Sequence, residues 1–492
     1  MSEQSISSLP LLNRKTQKVV KELSPKILQF GGGNFLRGFI DYMVQVLNEE
    51  TDFAGSVIIV KPTERGDYAA LKSQDGLFHV SMNGIKDGKL VTENKLVSCV
   101  DEVLHAYHEW DAFLKTAEVP SLRFIISNTT EAGIKVDEKD TFSEKAPHEF
   151  PAKLTRWLHH RFQHFSGSAA SGCILLPCEL IENNGIALSK CILQYADLWS
   201  LGEEFKKWVV EQNIFCNTLV DRIVPGFPTA RKVALFQSIG FQDQLLVDAE
   251  PYHIFVIQSP KEIQAELPFS QTNLNVIFTD DLEAYRKLKV RILNGAHTSM
   301  VPVGYLSGIE SVREAVEDEV MGDFIQKILF EEILPSLEFS EEVLEKYAND
   351  ILDRFRNPFL HHRLISISLN SISKFKTRVL PSLLDFYQKK KVLPSRIVFS
   401  FASLLWFYRG KRGEELIPLN DDSETLLFFK MLWEKFDAQE ISMEALVTTI
   451  LEQEDFWEMD LNEVEGLRAQ LVAHLSAFSA GESDFKKLLA DS

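Results

Sequence analysis

The sequence predicts an α/β protein with two domains, a doubly wound sheet domain followed by a mostly α-helical domain. Over the first half of the chain, short β-rich runs alternate with helical stretches. A glycine cluster separates the first run from the first helix, and beyond about residue 280 the periodicity is helical. Alternating strands and helices predict a parallel sheet covered by helices on both faces. We therefore assign residues 20–278 to the sheet domain and residues 279–492 to the helical domain.

The predicted elements follow one another along the chain. Strands are expected at "KILQFGG", "SVIIVKP", "LRFIISNTT" and "GCILLPCEL", with "YHIFVIQSP" and "LNVIFTDD" as further strands that close the same sheet. An amphipathic helix, "NFLRGFIDYMVQVLNEE", follows the first strand, and "EKDTFSEKAPHEF" is typical of a surface loop. From "DLEAYRKLKVRIL" to "DFKKLLADS" we expect helices, broken at "RNPF", "VLPS", "YRGKRGEE" and "IPLNDD".

Composition excludes several classes of partner. The 492 residues include 71 acidic and 52 basic ones, a formal net charge of −19 that disfavours nucleic acid and anionic membranes. An anionic small substrate would need a local cluster of basic residues. The N-terminus, "MSEQSISSLPLLNRKTQKVV", has no apolar run long enough for a signal-peptide core, and no stretch of the chain approaches the ~18 apolar residues of a membrane span. The five cysteines form no CxxC pair, so we expect a reduced, soluble, cytoplasmic protein. The oligomeric state stays open.

A glycine turn follows the first predicted strand. In "ILQFGGGNFLRGF", glycines at this point let the chain turn tightly and let a pyrophosphate approach the positive N-terminus of the next helix. The third glycine of the usual GxGxxG spacing is replaced by Leu36, so a plain strand–helix turn is the alternative. Within a strand–helix series, the turn favours a Rossmann-type, dinucleotide-binding domain. We expect contacts from Gly31, Gly32, Gly33, Asn34, Phe35, Leu36 and Arg37.

Two further strand ends are candidate cofactor contacts. An acidic residue after the second strand would bind the adenosine ribose of NAD, but Lys61 stands there and Glu64 comes only later. The local residues therefore leave NADP open, and a solvated lysine is equally compatible. After the third strand, Asn128 and Thr129 offer polar groups for the nicotinamide half of a dinucleotide, or they end the strand and cap a helix.

One predicted helix mixes polar and apolar residues in an unusual way. In "KLKVRILNGAH" (287–297), Lys289, Asn294 and His297 lie within an arc of about 140° on a helical wheel, together with apolar residues. The opposite flank is expected to face solvent and contains Lys287, Arg291, Gly295 and Thr298. Reduction of a ketone by hydride needs a proton donor and fixed dipoles at the oxygen. Lys289 is a candidate proton donor, and Asn294 and His297 are candidate hydrogen-bonding partners of that oxygen.

Other polar residues are candidates for the substrate. The segment "SISKFKTRVLPS" concentrates Lys374, Lys376 and Arg378, whose charges suit a substrate carboxylate or, alternatively, a solvated helix face. Asp221 either contacts substrate or forms an ion pair with Arg222. His361 and His362 adjoin no carboxylate or cysteine pattern that would indicate a metal site. We therefore expect a metal-free site.

The pattern K-x4-N-x2-H at Lys289, Asn294 and His297, together with "FGGGNFLRGF", resembles the mannitol dehydrogenase family of polyol-specific long-chain dehydrogenases. This resemblance implies a Rossmann-type domain followed by a helical domain. It also implies metal-independent chemistry, with the lysine as general acid/base and the asparagine and histidine binding the reacting oxygen.

The chain departs from that family at "CEL", where Glu179 and Leu180 replace the aspartate and asparagine of a Cys-Asp-Asn sequence. The departure argues against a plain polyol substrate. Asn184 is a candidate replacement for the missing asparagine. Glu179 either accepts hydrogen bonds from substrate hydroxyls or is a strand-end carboxylate paired with a lysine.

Several longer blocks, among them "FIISNTTEAGI", "LLPCELIENNG" and "RFRNPFLHHRLISISLNSISKFKTRVLPSL", resemble a branch of the family that acts on keto-hexuronates. That branch commonly has a basic residue at the position of Lys61 and uses NAD(H). The resemblance implies interconversion of D-tagaturonate, a small anionic sugar acid, and D-altronate with NAD. Fructuronate/mannonate or mannitol/fructose chemistry, and a non-catalytic dinucleotide sensor, are the alternatives.

Overall fold

The computed structural model describes residues 6–19, 22–129, 132–480 and 485–490. Thr130 and Glu131 of the "SNTTEAGI" segment and the end of "DFKKLLADS" lie outside these residues. The chain divides into two compact units, one of residues 1–83 and 90–285 and one of residues 84–89 and 286–492. We describe each unit by itself.

The strands of the described residues belong almost entirely to the first unit. In chain order they are β1 (Ser24–Phe30), β2 (Gly55–Lys61), β3 (Phe78–Lys86), β4 (Lys89–Val97), β5 (Val100–His105), β6 (Phe124–Ser127), β7 (Ile174–Pro177), β8 (Ile214–Phe215), β9 (Asn217–Asp221), β10 (Val247–Ala249), β11 (Ile254–Gln258), β12 (Val276–Thr279), β13 (Lys411–Arg412) and β14 (Glu415–Leu416). The main sheet has the order β5-β2-β1-β6-β7-β8, and its neighbouring strands are parallel. The chain runs outward from β1 to β5 and then restarts at β6 on the other side of β1, which is the doubly wound topology predicted from the sequence.

Helices cover both faces of the main sheet. The helices that begin within the first unit are α1 (Asn34–Leu36), α2 (Tyr42–Glu50), α3 (Ala69–Ser73), α4 (Trp110–Lys115), α5 (Phe150–His164), α6 (Asn184–Leu198), α7 (Glu203–Gln212), α8 (Lys232–Ile239), α9 (Ile263–Glu266) and α10 (Leu282–Leu288). A π-helical segment, Arg37–Asp41, joins α1 to α2. Along β1, Ile27 faces one hydrophobic core while Leu28 and Phe30 face the other, so apolar side chains are buried on both faces.

Two of the predicted strands are placed differently from our expectation. β11 and β12 do not close the main sheet; they form a separate sheet with β9, in the order β12-β11-β9. The physical reason is that β9 pairs antiparallel with β11 along its whole length, from Asn217 to Asp221, and so occupies that edge of β11. A further small sheet, β10-β3-β4, had no counterpart in the sequence prediction.

From residue 286 onward the described part of the second unit is helical, as predicted, apart from the short β13–β14 hairpin, and residues 84–89 add the adjoining ends of β3 and β4 with the turn between them. Its helices are α11 (Gly295–Leu306), α12 (Val312–Glu317), α13 (Glu319–Lys327), α14 (Glu341–Phe355), α15 (Leu364–Ile367), α16 (Ser371–Arg378), α17 (Leu380–Lys390), α18 (Ser395–Phe407), α19 (Ser423–Asp437), α20 (Met443–Leu451), α21 (Glu454–Trp457), α22 (Leu467–Ala480) and α23 (Phe485–Ala490), with π-helical segments Lys289–Asn294 and Ile328–Ile333. Helix α18, buried from Ile397 to Phe407, packs against α11 and α22. None of the helices in the described residues has the length and apolar character needed to span a membrane.

Candidate active site

The glycine turn between β1 and α1 has the shape of a phosphate cradle. Gly31 has φ +112°, a conformation that glycine adopts without strain. A Cβ on Gly32 would lie 3.0 to 3.1 Å from side-chain atoms of Leu71, Ile59 and Tyr68, whereas a Cβ on Gly33 would meet no atom within 4 Å. Helix α1 begins directly afterwards, at Asn34. Open space in front of a helix N-terminus fits a dinucleotide pyrophosphate, which backbone N–H groups bind there.

Side chains of the turn support its shape rather than point into that space. The Arg37 guanidinium is buried, and it donates to the carbonyl oxygen of Gly32 at 3.1 Å, to Oδ1 of Asn34 at 2.8 Å and to the carbonyl oxygen of Leu245. Burial lowers the pKa of Arg37 from its usual value. Leu36 is buried in the core and Phe35 stacks on Phe39. Among the residues predicted to contact the cofactor here, Phe35, Leu36 and Arg37 therefore have only backbone groups to offer.

Lys61 ends β2 in a buried position, with 6% of its surface exposed. Its ammonium donates to Oγ1 of Thr63 at 2.6 Å and lies 5.3 Å from the ring centre of Tyr68. The Tyr68 hydroxyl in turn accepts a hydrogen bond from the Gly32 amide at 2.7 Å. Burial lowers the pKa of Lys61. The solvated lysine that we considered as an alternative is therefore excluded, and Lys61 is linked through Tyr68 to the glycine turn.

Polar groups at the carboxyl ends of β6 and β7 bind one another. Glu179 is 2% exposed, and its carboxylate accepts hydrogen bonds from the Ser127 hydroxyl at 3.0 Å and from the Thr129 amide and hydroxyl at 3.0 and 2.9 Å. The Asn128 side chain donates to the carbonyl oxygen of Cys178 at 2.8 Å. Burial raises the pKa of Glu179, while these hydrogen bonds act in the opposite direction. The alternative of a lysine partner for Glu179 is wrong, since its partners among the described residues are all hydroxyl or amide groups.

Asn184 does not have the freedom that a substrate contact requires. Its Nδ2 donates to the carbonyl oxygens of Pro177, Glu179 and Thr218 at 3.0 to 3.2 Å, and its Oδ1 accepts from the Thr218 amide at 2.9 Å. The side chain is 1% exposed. The prediction that Asn184 replaces the family's substrate asparagine is therefore corrected: it joins the ends of β7 and β9.

Asp221 is the last residue of β9 and Arg222 follows it, and the two side chains lie in different environments. Arg222 is buried, and its guanidinium donates to the carbonyl oxygens of Gly38 at 2.6 Å and Glu250 at 2.9 Å. Burial lowers the pKa of Arg222 to about 10. Asp221 is half-buried and pairs through its backbone with Ile254. A substrate contact by Asp221 stays a prediction.

In the second unit, the helical segment that begins at Lys289 is wider than the α-helix that the helical wheel assumes. Residues Lys289–Asn294 form a π-helical turn, which Gly295 continues as the α-helix α11. A π turn closes its backbone hydrogen bonds over five residues instead of four, so the side chains of this segment are spaced differently from those on an α-helical wheel. Such turns often occur at functional sites.

The flank that we expected to face solvent is mostly buried. Arg291 is 4% exposed, and its guanidinium donates to Oδ2 of Asp385 at 2.8 Å and to the Ser382 hydroxyl at 2.6 Å. Thr298 and Gly295 are also buried. The prediction that this flank faces solvent is therefore wrong except at Lys287. The ion pair and the hydroxyl take the place of the water that would otherwise bind the Arg291 guanidinium, so the arginine can be buried.

His297 lies three residues beyond Asn294, on α11. Its ring packs on Phe355, with centroids 4.4 Å apart, and lies 5.2 Å from His362. Its Nε2 is buried and has no hydrogen-bond partner among the described residues. Burial, reinforced by His362, Arg354 and Arg378, holds the pKa of His297 well below 6.5, so the ring is neutral. A neutral imidazole with an unused nitrogen suits a hydrogen bond to a substrate oxygen.

The three basic residues predicted on α16 have different partners. Lys374 donates to the carbonyl oxygen of Ile367 at 2.8 Å, and Lys376 pairs with Glu458 at 3.2 Å. Arg378 is half-buried, and no hydrogen bond or ion pair joins its guanidinium to the described residues. Burial lowers its pKa. Arg378 is thus the member of this group whose charge is available to an anionic ligand. No group of three or more metal-ligating side chains occurs in the described parts of the chain.

Both units match patterns of a known family. Residues 25–271 match the mannitol dehydrogenase Rossmann domain and residues 281–479 the mannitol dehydrogenase C-terminal domain. The chain belongs to the mannitol dehydrogenase family. The resemblance inferred from the lysine–asparagine–histidine pattern and the glycine turn is therefore confirmed.

Relatives within the mannitol dehydrogenase family cover nearly the whole chain. The altronate oxidoreductase of Yersinia enterocolitica is 44% identical over 451 residues, which is 92% of this chain and 93% of the relative. That of Bacillus subtilis is 45% identical over 465 residues, 94% of this chain and 95% of the relative.

Solved structures of the family share the fold. A D-sorbitol dehydrogenase in substrate-free form aligns with a TM-score of 0.76 at 22% identity, covering 99% of each chain. A Pseudomonas fluorescens mannitol 2-dehydrogenase, solved with NAD and D-mannitol, aligns with a TM-score of 0.62 at 20% identity, covering 98% of this chain and 99% of that one. The predicted fold class, a Rossmann-type domain followed by a helical one, is confirmed.

Proposed function

We propose that this chain is an NAD-dependent oxidoreductase that interconverts D-tagaturonate and D-altronate. The observation that carries the proposal is in the second unit, where the half-buried guanidinium of Arg378 has no hydrogen bond or ion pair to the described residues and His297 keeps a buried Nε2 without a partner among them. An available guanidinium together with hydrogen-bonding groups suits a keto sugar that carries a carboxylate. The two relatives named altronate oxidoreductase, each more than 40% identical over more than nine tenths of the chain, support the same substrate class.

The chemistry follows from the types of side chain present. When bound, NADH supplies the hydride that the ketone carbon accepts. Lys289 gives a proton to the ketone oxygen as negative charge develops there, and it takes the proton back in the oxidising direction. Asn294 and His297 hydrogen-bond the same oxygen and fix its position. Arg378 binds the carboxylate of the hexuronate and so orients the ketone.

The cofactor is held by the first unit. The backbone amides near Gly33 and Asn34, at the start of α1 and next to the open space at Gly33, bind the pyrophosphate. Lys61 lies at the end of β2, where the adenosine ribose binds in this topology, and Asn128 and Thr129 lie on the nicotinamide side. We place the reaction in the cytoplasm, where the five unpaired cysteines persist as thiols.

The decisive experiment compares substrates with the purified wild-type protein. NADH oxidation is followed with D-tagaturonate, D-fructuronate and D-fructose at equal concentrations. We expect the highest kcat/KM with D-tagaturonate and the lowest with fructose, which lacks the carboxylate. A preference for D-fructuronate would assign the sister activity, a preference for fructose would remove the role of Arg378, and NADH binding without turnover would indicate a sensor.

A further inference from the structure

Glu179 is a buried carboxylate without a positive partner. Three groups donate to it, the Ser127 hydroxyl and the amide and hydroxyl of Thr129, at 2.9 to 3.0 Å. A backbone N–H only donates, so Oε1 of Glu179 acts as an acceptor. Burial raises the pKa of Glu179, and the three hydrogen bonds act in the opposite direction by stabilising the ionised form. Within the described part of the first unit, no lysine, arginine or histidine forms an ion pair with it.

The ionised form of Glu179 is unusual because buried charges are normally paired. The three hydrogen bonds offset part of the free-energy cost of burying the charge, but they do not neutralise it. The surroundings of Glu179 therefore have a negative potential that solvent screens poorly, since the side chain is only 2% exposed.

The position of Glu179 in the sheet indicates which part of a bound dinucleotide this potential affects. The residue follows β7, and its donors lie at the end of β6, on the side of β1 opposite to β2. In a doubly wound sheet, the adenosine half of a dinucleotide lies over the strands on one side of the central strand and the nicotinamide half over those on the other. The nicotinamide ring is positively charged in NAD⁺ and neutral in NADH.

We infer that Glu179 acts electrostatically on the cofactor, making the protein bind NAD⁺ more tightly relative to NADH than it would without this charge. The inference rests on the proposed function, because it needs NAD(H) in the first unit. By the thermodynamic cycle, tighter binding of the oxidised form makes bound NADH a stronger hydride donor. The charge at Glu179 would thus favour reduction of the keto acid on the protein.

If the role of Glu179 were purely structural, its replacement would have a different effect. Glu179 also joins the ends of β6 and β7 through Thr129. If this were its whole contribution, loss of the carboxylate would loosen the segment and weaken both forms of the cofactor alike.

The test measures Kd for NAD⁺ and for NADH by calorimetry, without substrate, in the wild type and in three variants. Glu179→Gln removes the charge while keeping the size. Ser127→Ala removes one hydrogen bond to Glu179 and keeps the charge, and Asp101→Asn removes an exposed charge on β5. We expect Glu179→Gln to raise Kd(NAD⁺)/Kd(NADH) on the order of tenfold, and the other two variants to leave this ratio within about twofold.

Equal weakening of both forms by Glu179→Gln, or an unchanged ratio, would overturn the inference. Should that variant not fold, Glu179→Ala, which leaves room for water to take the three hydrogen bonds, is expected to raise the same ratio, and an unchanged ratio there would contradict us. If the wild type binds neither form, the proposed function fails rather than the role of Glu179.

Discussion

The ring of His297 packs against that of Phe355 at a centroid distance of 4.4 Å, which leaves its Nε2 buried and without a partner among the described residues. An unsatisfied buried polar atom costs stability unless a ligand uses it. We expect His297→Phe to keep or increase the thermal stability and to lower kcat/KM about 10²-fold, the usual loss when one oxyanion donor is removed. Because the ring is neutral, the shape of the pH–rate profile should not change. Melting curves and kinetics over pH 6 to 9 check this, and a lost profile limb would show that His297 titrates in catalysis.

Arg378 should determine the preference for an acidic substrate. Arg378→Gln is expected to raise KM for D-tagaturonate about tenfold or more, since a charge-assisted hydrogen bond is lost. Kd for NADH should stay unchanged. Lys376→Gln is the matched control, because its ammonium already pairs with Glu458. Equal effects of the two substitutions on KM would mean that general charge, rather than one guanidinium, attracts the substrate.

Gly33 offers a separate test of the cofactor cradle. A valine there would find no atom within 4 Å of its Cβ, and the backbone (φ −71°, ψ 173°) is one that valine accepts. We expect Gly33→Val to fold with a normal Tm and to weaken NADH binding at least tenfold, because its methyl groups occupy the space before α1. Gly31→Val, at φ +112°, should instead lower Tm. Unchanged NADH affinity of Gly33→Val, measured by fluorescence, would place the pyrophosphate elsewhere.

His159 makes the first unit sensitive to acid. Its ring packs against Phe142 and Phe205, and burial lowers its pKa from 6.5 to about 4. Between these values the unfolded chain binds a proton that the folded chain does not, so the free energy of unfolding falls as pH falls below 6.5. His159→Phe should reduce the loss of stability between pH 7 and pH 5 by about 1 kcal/mol, after allowing for the partial exposure of the ring. Denaturant unfolding at both pH values checks this, with exposed His361→Gln as the control.

Sequence patterns predicted candidate site residues but not their local geometry. The glycine turn and the Lys289, Asn294 and His297 pattern were readable because each depends on residue type and short spacing. The burial of Arg291 could not be predicted in this way, because it depends on Asp385, which is distant in sequence and does not appear on a helical wheel of residues 287–297. A π turn likewise has no simple residue signature, although the unusual mixture of polar and apolar residues at 287–297 was a signal that an ordinary α-helix does not fit.

The same limit explains the errors in the first unit. β11 is apolar enough to lie in any sheet, and which partner it takes depends on β9 rather than on its own composition. Asn184 matched a plausible role by its type and position, yet backbone groups of Pro177, Glu179 and Thr218 already use its amide. Long-range hydrogen bonds of this kind decide whether a polar residue is structural or available, and one sequence does not contain them.

Lys289 is the residue on which the proposed chemistry depends most. It begins the π-helical segment that ends at Asn294, and it is half-buried. We expect Lys289→Met, which keeps the packing of the side-chain stem, to lower kcat by ~10²–10⁴-fold, the usual contribution of a positioned acid or base. NADH affinity and Tm should stay close to the wild type. The pH–rate profile should lose one limb, because the titrating group is gone, and Lys287→Met, at the exposed neighbouring lysine, should change neither rate nor profile. A Lys289→Met variant with near-normal turnover and an intact profile would assign the proton transfer to another group and leave Lys289 a structural role.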